Sequence, residues 1–259
     1  MNVRDLLIQG GHVIDPGRGY DGVMDIRIRN GRIEAVSKGL EAKRADVLDA
    51  SGKLVLPGLI DMHAHLREPG DEESETILSG CESAAAGGFT AVCAMPNTQP
   101  PTDDAGRVRY ILNAAKEAKA RVYPVGAITR GREGKEITEM HEMAIEGAVG
   151  FSDDGSGVAN ARVMFNALRY AAMVGRPIIM HEEDADLSQG GQMNESALSA
   201  ELGLRGISRL AEEIPIMRDI ALAGYTGTGI HITHVSTRGA VEIIPVSYTH
   251  LTLPTKRIV

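Results

Sequence analysis

Residues 54–65 read LVLPGLIDMHAH, and the chain changes rhythm there. An apolar run closes on two histidines one residue apart. Side chains alternate between faces along a strand, so His63 and His65 point the same way. Two imidazoles at that spacing can reach one metal ion. Arg67 lies two positions further on and extends the same face if the extended geometry persists.

Upstream, residues 1 to 54 read as short strands and turns. LLIQGGHVID breaks at Gly10-Gly11, and MDIRIRNGRIEAVS alternates apolar and polar residues around an Asn30-Gly31 hairpin turn. Downstream, strands alternate with helical segments. FTAVCAMPN, RVYPVGAI, AVGFSDDG, PIIMHEE and GTGIHITHVS follow LVLPGLIDMHAH as strands, and TRGAVEII starts a last helix. Repeated strand–helix units imply a parallel sheet. Polar residues recur at the strands' C-terminal ends: His63 and His65, Asn97, Asp153 and Asp154, His181, and His234. In a (β/α)8 barrel that end is the active-site face. A doubly wound open sheet is the competing architecture, but no Gly-rich phosphate loop follows the first strand. The expected fold class is α/β, an incomplete (β/α)8 TIM-type barrel of about six βα units with a small N-terminal β unit.

Composition narrows the function. The 259 residues include no Trp and three Phe, so aliphatic side chains, Ala and Gly must fill the core. Net charge is −8 and no Lys/Arg block stands out, which argues against a nucleic-acid or anionic-membrane partner. No apolar run approaches the roughly 20 residues of a membrane span, and MNVRDLLIQGG has no signal-peptide character. Cys81 and Cys93 form neither a CxxC pair nor a disulfide framework. A cytoplasmic protein with reduced thiols is expected.

The chemistry follows from the strand ends. His181 closes PIIM and His234 closes HIT, so four imidazoles sit at the ends of three strands. Borderline metals such as zinc favour imidazole and carboxylate ligands. His231 competes with His234, but an odd separation on a strand sends the two to opposite faces, and His234 is nearer the C-terminal end. HEED at 181–184 is not HExxH, so a zincin reading fails. FSDDG ends the fourth strand with paired carboxylates that suit a bridge between metals. Arg67 and Asn97 suit the anchoring of an acidic small substrate.

Taken together, DMHAHLREPG, AMPNTQP, FSDDG, IIMHEED, GGQMNE and HITHVST resemble dihydroorotases of the longer bacterial type, in the amidohydrolase superfamily. The resemblance runs from residue 1 to about 244. It implies that His63, His65, His181 and His234 bind one or two Zn2+ ions, that Asp154 is the bridging carboxylate, and that Arg67 and Asn97 hold the substrate carboxylate. Hydantoinases use a carbamylated Lys as the bridge, and no Lys lies between Lys135 and Lys256 here. The implied reaction is the reversible cyclisation of N-carbamoyl-L-aspartate to L-dihydroorotate, in pyrimidine synthesis. For partners, the resemblance implies a homodimer or association with aspartate transcarbamoylase in the full-length protein. An allantoinase-like cyclic amidohydrolase and a non-catalytic subunit scaffolding that transcarbamoylase are the alternatives.

One part of the pattern is missing. The family's general-base Asp, at the end of the eighth strand, is absent from this chain. Pro245 is expected to end the last helix, and PVSYTHLTLPTKRIV reads as a non-native tail. The expected organisation is 1–54 for the β unit, 55–244 for a partial hydrolase barrel, and 245–259 for the tail. Such a chain is expected to be inactive and aggregation-prone, with two open sheet edges.

Overall fold

In the computed structural model, which describes residues 5–250, the stretch from Leu54 to His65 is not one strand. It divides at Pro57-Gly58, where two units of the chain also divide, one up to Gly58 and one from Leu59.

The first unit contains β1 (Leu6–Asp15), β2 (Tyr20–Arg29), β3 (Arg32–Ser37), β4 (Asp46–Asp49) and β5 (Leu54–Val55). The sheet order is β3-β2-β1-β4, and β5 pairs with β1 beside β4. Asn30 and Gly31 both have positive φ, at 50° and 71°, as a two-residue hairpin turn between β2 and β3 requires. Gly10-Gly11 does not break β1 as expected. The strand continues through a bulge between Ile8 and Gly11, with Gly10 at φ 71°. The Gly10 N–H released from the ladder donates to Asp25 Oδ1 at 2.8 Å, so the irregularity leaves no orphaned donor. A side chain at Gly11 would meet Val55 Cγ2 at 2.5 Å, so β5 can lie close only because Gly11 has none.

The second unit alternates strands and helices. Its elements are β6 (Leu59–Ala64), α1 (Ile77–Ala86), β7 (Phe89–Ala94), α2 (Ala105–Ala114), β8 (Arg121–Gly126), α3 (Met140–Glu146), β9 (Gly150–Phe151), α4 (Ala161–Val174) and β10 (Ile178–Met180). An excursion follows: α5 (Ala185–Ser188), β11 (Met193–Asn194), α6 (Ala197–Glu201) and β12 (Gly206–Ile207). The unit resumes with α7 (Leu210–Thr226), β13 (Ile230–Ile232) and α8 (Arg238–His250). Local chemistry sets the helix ends. Thr76 closes a capping box on α1, Asp104 caps α2, and Asn160 caps α4. Gly175 ends α4 in the left-handed conformation.

Six parallel strands pair in chain order, β6-β7-β8-β9-β10-β13. The sheet is strongly curled. At about 4.8 Å per strand, the ends of a flat six-stranded sheet would lie roughly 24 Å apart. Instead the rings of His63, on β6, and His234, just beyond β13, are 5.6 Å apart. This is the arc of a (β/α) barrel, and no pairing between β6 and β13 closes it among the described residues. Inside the arc, Met95, Val125 and Ile179 pack with Cys93 and Val149. Between sheet and helices, Phe151, Ile178 and Met180 pack against Met164, Ala167 and Leu168 of α4. The core is aliphatic and methionine-rich, and both cysteines are free thiols.

Pro245 does not end the last helix. α8 runs through it to His250. Proline's φ is itself helical, so the ring removes one hydrogen bond without forcing a stop, and Pro215 sits likewise inside α7. Of the expected tail, residues 251–259 lie outside the described residues.

Candidate active site

The side chains at the strand ends converge on Asp154. Its Oδ1 lies 3.3 Å from His63 Nε2, 3.3 Å from His181 Nδ1 and 3.6 Å from His234 Nε2. Its Oδ2 lies 3.6 Å from His65 Nε2. The two oxygens of one carboxylate thus face histidines from opposite ends of the arc. His181 Nδ1 and His234 Nε2 are 3.1 Å apart, and the rings of His63 and His65 are 5.1 Å apart. Ligand atoms of His63, Asp154 and His234 all lie within 4.8 Å of one another. His231, on β13, is not part of this group.

The neighbouring aspartate does different work. Asp153 is buried, and its Oδ1 accepts from the N–H groups of Ile128 and Thr129 at 2.8 and 3.0 Å. Its Oδ2 accepts from the Thr129 hydroxyl. It ties the end of β9 to the loop after β8, and Asp154 is left facing the histidines.

Electrostatics follow from this crowding. Burial pushes the Asp154 carboxyl up, but hydrogen bonds to His181 and His234 and the charge of His63 outweigh it and hold it far below the usual carboxylate range. Burial pushes Asp153 up, against its bonds to Thr129 and Ile128. His63 is lowered by burial, with Asp154 opposing, whereas His234 is raised by its bond to Asp154.

His65 is oriented from behind. Its Nδ1 lies 2.9 Å from Asn97 Oδ1, so a proton on Nδ1 turns the Nε2 lone pair toward Asp154. Asn97 keeps its amide Nδ2 for another acceptor. Arg67 departs from the expectation. β6 ends at Ala64, and Arg67 sits past it at φ 61°, so strand alternation does not place it on the histidine face. Its side chain is exposed, and no described carboxylate lies within ion-pair distance.

Three neighbours had no sequence signal. Arg132 Nη1 donates to the Asp154 backbone carbonyl across 22 residues. Glu183 Oε2 lies 3.4 Å from His181 Nε2. Glu182 is buried with Oε1 unpartnered, and burial together with the negative charge of Asp219 pushes its carboxyl up. A cavity of about 600 Å³ opens beside His234, and Glu182, Glu183, Glu195 and Glu212 line it. Arg209 and Arg238 line it as well.

The donor set fits a divalent metal. Four imidazole nitrogens gathered on one carboxylate form the nitrogen-and-oxygen ligand set that zinc takes.

Residues 52–240 match the family described as dihydro-orotase-like. The chain belongs to that family. It is 51% identical over 242 residues to a dihydroorotase of Trichlorobacter lovleyi, covering 93% of this chain and 57% of that protein. It is 48% identical over 240 residues to a dihydroorotase of Acetivibrio thermocellus, covering 92% of this chain and 56% of that protein. The chain thus spans somewhat more than half the length of these relatives. Among solved structures, an L-hydantoinase (dihydropyrimidinase) from Arthrobacter aurescens superposes with a TM-score of 0.78 at 22% identity, over 95% of this chain and 56% of that one. A D-hydantoinase structure gives 0.76 at 22% identity. These two likenesses speak for the barrel fold. No helix among the described residues is long and apolar enough to cross a membrane.

Proposed function

We propose that this chain carries the metal-binding and carboxylate-binding parts of a zinc-dependent dihydroorotase, which interconverts N-carbamoyl-L-aspartate and L-dihydroorotate. The observation that carries the reading is Asp154 ringed by histidines from three strand ends, with Asn97 behind one of them. The about 50% identity to dihydroorotases supports the choice of substrate.

His63, His65, His181, His234 and Asp154 would hold the metal. The chemistry such an ion supplies when bound is polarisation of the amide carbonyl and acidification of water. In the hydrolytic direction, water adds to the ring amide carbonyl, the ring C–N bond breaks, and the nitrogen leaves bearing a proton from that water. The reverse direction forms the bond and releases water. Arg67, with no ion-pair partner among the described residues, grips the α-carboxylate as a fork, and Asn97 Nδ2 donates to the same group, which orients the ring. Asn97 Oδ1 keeps His65 in the tautomer that presents Nε2. Asp154 stays ionised among the histidines and can take a proton on Oδ1 or Oδ2 only against their pull. It is therefore a poor carrier of the proton from water to the leaving nitrogen, and that transfer falls to a carboxylate outside this ligand set. The 259-residue chain is accordingly expected to bind zinc without turning substrate over.

The test compares the 259-residue chain with a chimaera extended by the C-terminal part of the Trichlorobacter lovleyi dihydroorotase. Zinc content and cyclisation of N-carbamoyl-L-aspartate are measured for both. Zinc in both and turnover only in the chimaera are expected. A chain without zinc would sink the metal reading, and turnover by the 259-residue chain would sink the need for another base.

A further inference from the structure

His234 has φ 36°, in the left-handed region that residues with a Cβ seldom adopt. Such a conformation persists only where the surroundings impose it. Here it is imposed from both sides. Before His234, the buried Thr233 hydroxyl donates to the carbonyl of Met180, on the neighbouring strand β10, at 2.6 Å. After it, three donors of the loop converge on one carboxylate of α7. Glu212 Oε1 accepts from the N–H and the hydroxyl of Ser236 at 2.7 and 3.0 Å, and Oε2 accepts from the N–H of Thr237 at 2.8 Å.

These contacts are not merely a cap for α8. The Thr237 hydroxyl already accepts from the N–H of Ala240 at 3.2 Å, which serves the first turn of that helix. Glu212 instead grips the segment between His234 and the helix. It makes no hydrogen bond to the His234 ring; its charge reaches that ring through space, and its direct grip is on the backbone of Ser236 and Thr237. Despite partial burial, its bonds to Thr237 and Ser236 hold the carboxyl below its usual range, so it grips as an anion at neutral pH.

We infer that Glu212 is a positioning residue for the metal centre, fixing the Ser236–Thr237 backbone so that His234 is held in its left-handed conformation with Nε2 toward Asp154. The inference rests on the metal reading above and extends it to a residue outside the ligand set.

The test uses the 259-residue chain, with zinc affinity measured by chelator competition and ligand geometry by the visible absorption of the Co2+-substituted protein. Glu212→Ala is expected to weaken zinc binding about tenfold, the scale seen when groups supporting a ligand are removed. Glu212→Gln, which keeps the shape but sets an amide N–H against a backbone N–H, is expected to weaken zinc less and to shift the Co2+ bands. Asn160→Ala removes the cap of α4 and touches neither Glu212 nor the histidines, so it is expected to lower thermal stability without changing zinc affinity. Wild-type affinity and Co2+ bands in both Glu212 variants would overturn the inference alone. So would a loss in Asn160→Ala as large as in Glu212→Ala, because lowered stability would then explain both. If Glu212→Ala does not fold, the isosteric Gln variant decides. A wild-type chain that takes up no zinc would overturn the metal reading and this inference together.

Discussion

Asp153 and Asp154 are consecutive residues with carboxylates committed to different partners: Asp153 to Ile128 and Thr129, Asp154 to four histidines. Their substitutions should therefore separate cleanly. Asp154→Asn removes the anion at the centre of the histidines and should abolish zinc uptake while circular dichroism stays native. Asp153→Ala strands two backbone N–H groups and a hydroxyl in a buried loop, at a cost of about 3 kcal/mol. A lower melting temperature with residual zinc binding is the expected result. Equal loss of zinc in both variants would mean that the two carboxylates are not divided in this way.

Arg67 and Asn97 should also separate. Arg67 touches no histidine of the centre, so Arg67→Met should leave zinc affinity intact and, in the extended chimaera, raise KM for N-carbamoyl-L-aspartate. Asn97 holds His65 Nδ1 at 2.9 Å. Asn97→Ala should raise KM and also weaken zinc, by about tenfold. Chelator competition on both variants checks the division, and a zinc defect in Arg67→Met would contradict it.

The sequence made the strand ends legible because each site residue follows an apolar run and the sheet is parallel. His63 and His181 could be placed by that rule alone. The rule failed where the backbone leaves the strand. His234 lies two residues beyond β13 in a left-handed conformation, and Arg67 lies three beyond β6 in another. Alternation carries no information there. Arg132, Glu183 and Glu212 were illegible for a different reason. Each acts through a backbone carbonyl, an exposed pair or a loop N–H, and none of these leaves a spacing pattern. Gly10-Gly11 looked like a break because glycine marks both turns and bulges, and only the partner Asp25 distinguishes them.

Asp25 gives the N-terminal unit a pH dependence. Its carboxylate accepts from the N–H of Gly10 at 2.8 Å and of Leu40 at 2.9 Å. The Gly10 bond foremost holds its pKa below the ordinary 3.8. A depressed folded value means that the stabilisation is present above 3.8 and lost as pH falls through the folded value. Asp25→Asn should cost about 1–2 kcal/mol at neutral pH. As pH falls through the folded value, the variant and wild-type unfolding curves should converge. Curves that stay parallel through the acid range would assign the effect to shape rather than charge.

The open edge at β6 should govern solubility. Ile60 and Met62 lie two apart on one face of this edge strand and are 61% and 53% exposed. An apolar face beside unpaired backbone groups is a template for pairing with another chain. The 259-residue chain should therefore self-associate with rising concentration in light scattering. Ile60→Lys with Met62→Lys places charge on that face, where no burial is lost, and should reduce the association. His63 and His65 alternate to the opposite face, so zinc affinity should be unchanged. If the double variant associates as strongly as the wild type, β6 is not the sticky edge. The parallel experiment at the other end of the arc, charging β13 at Ile230, would then be the discriminating one.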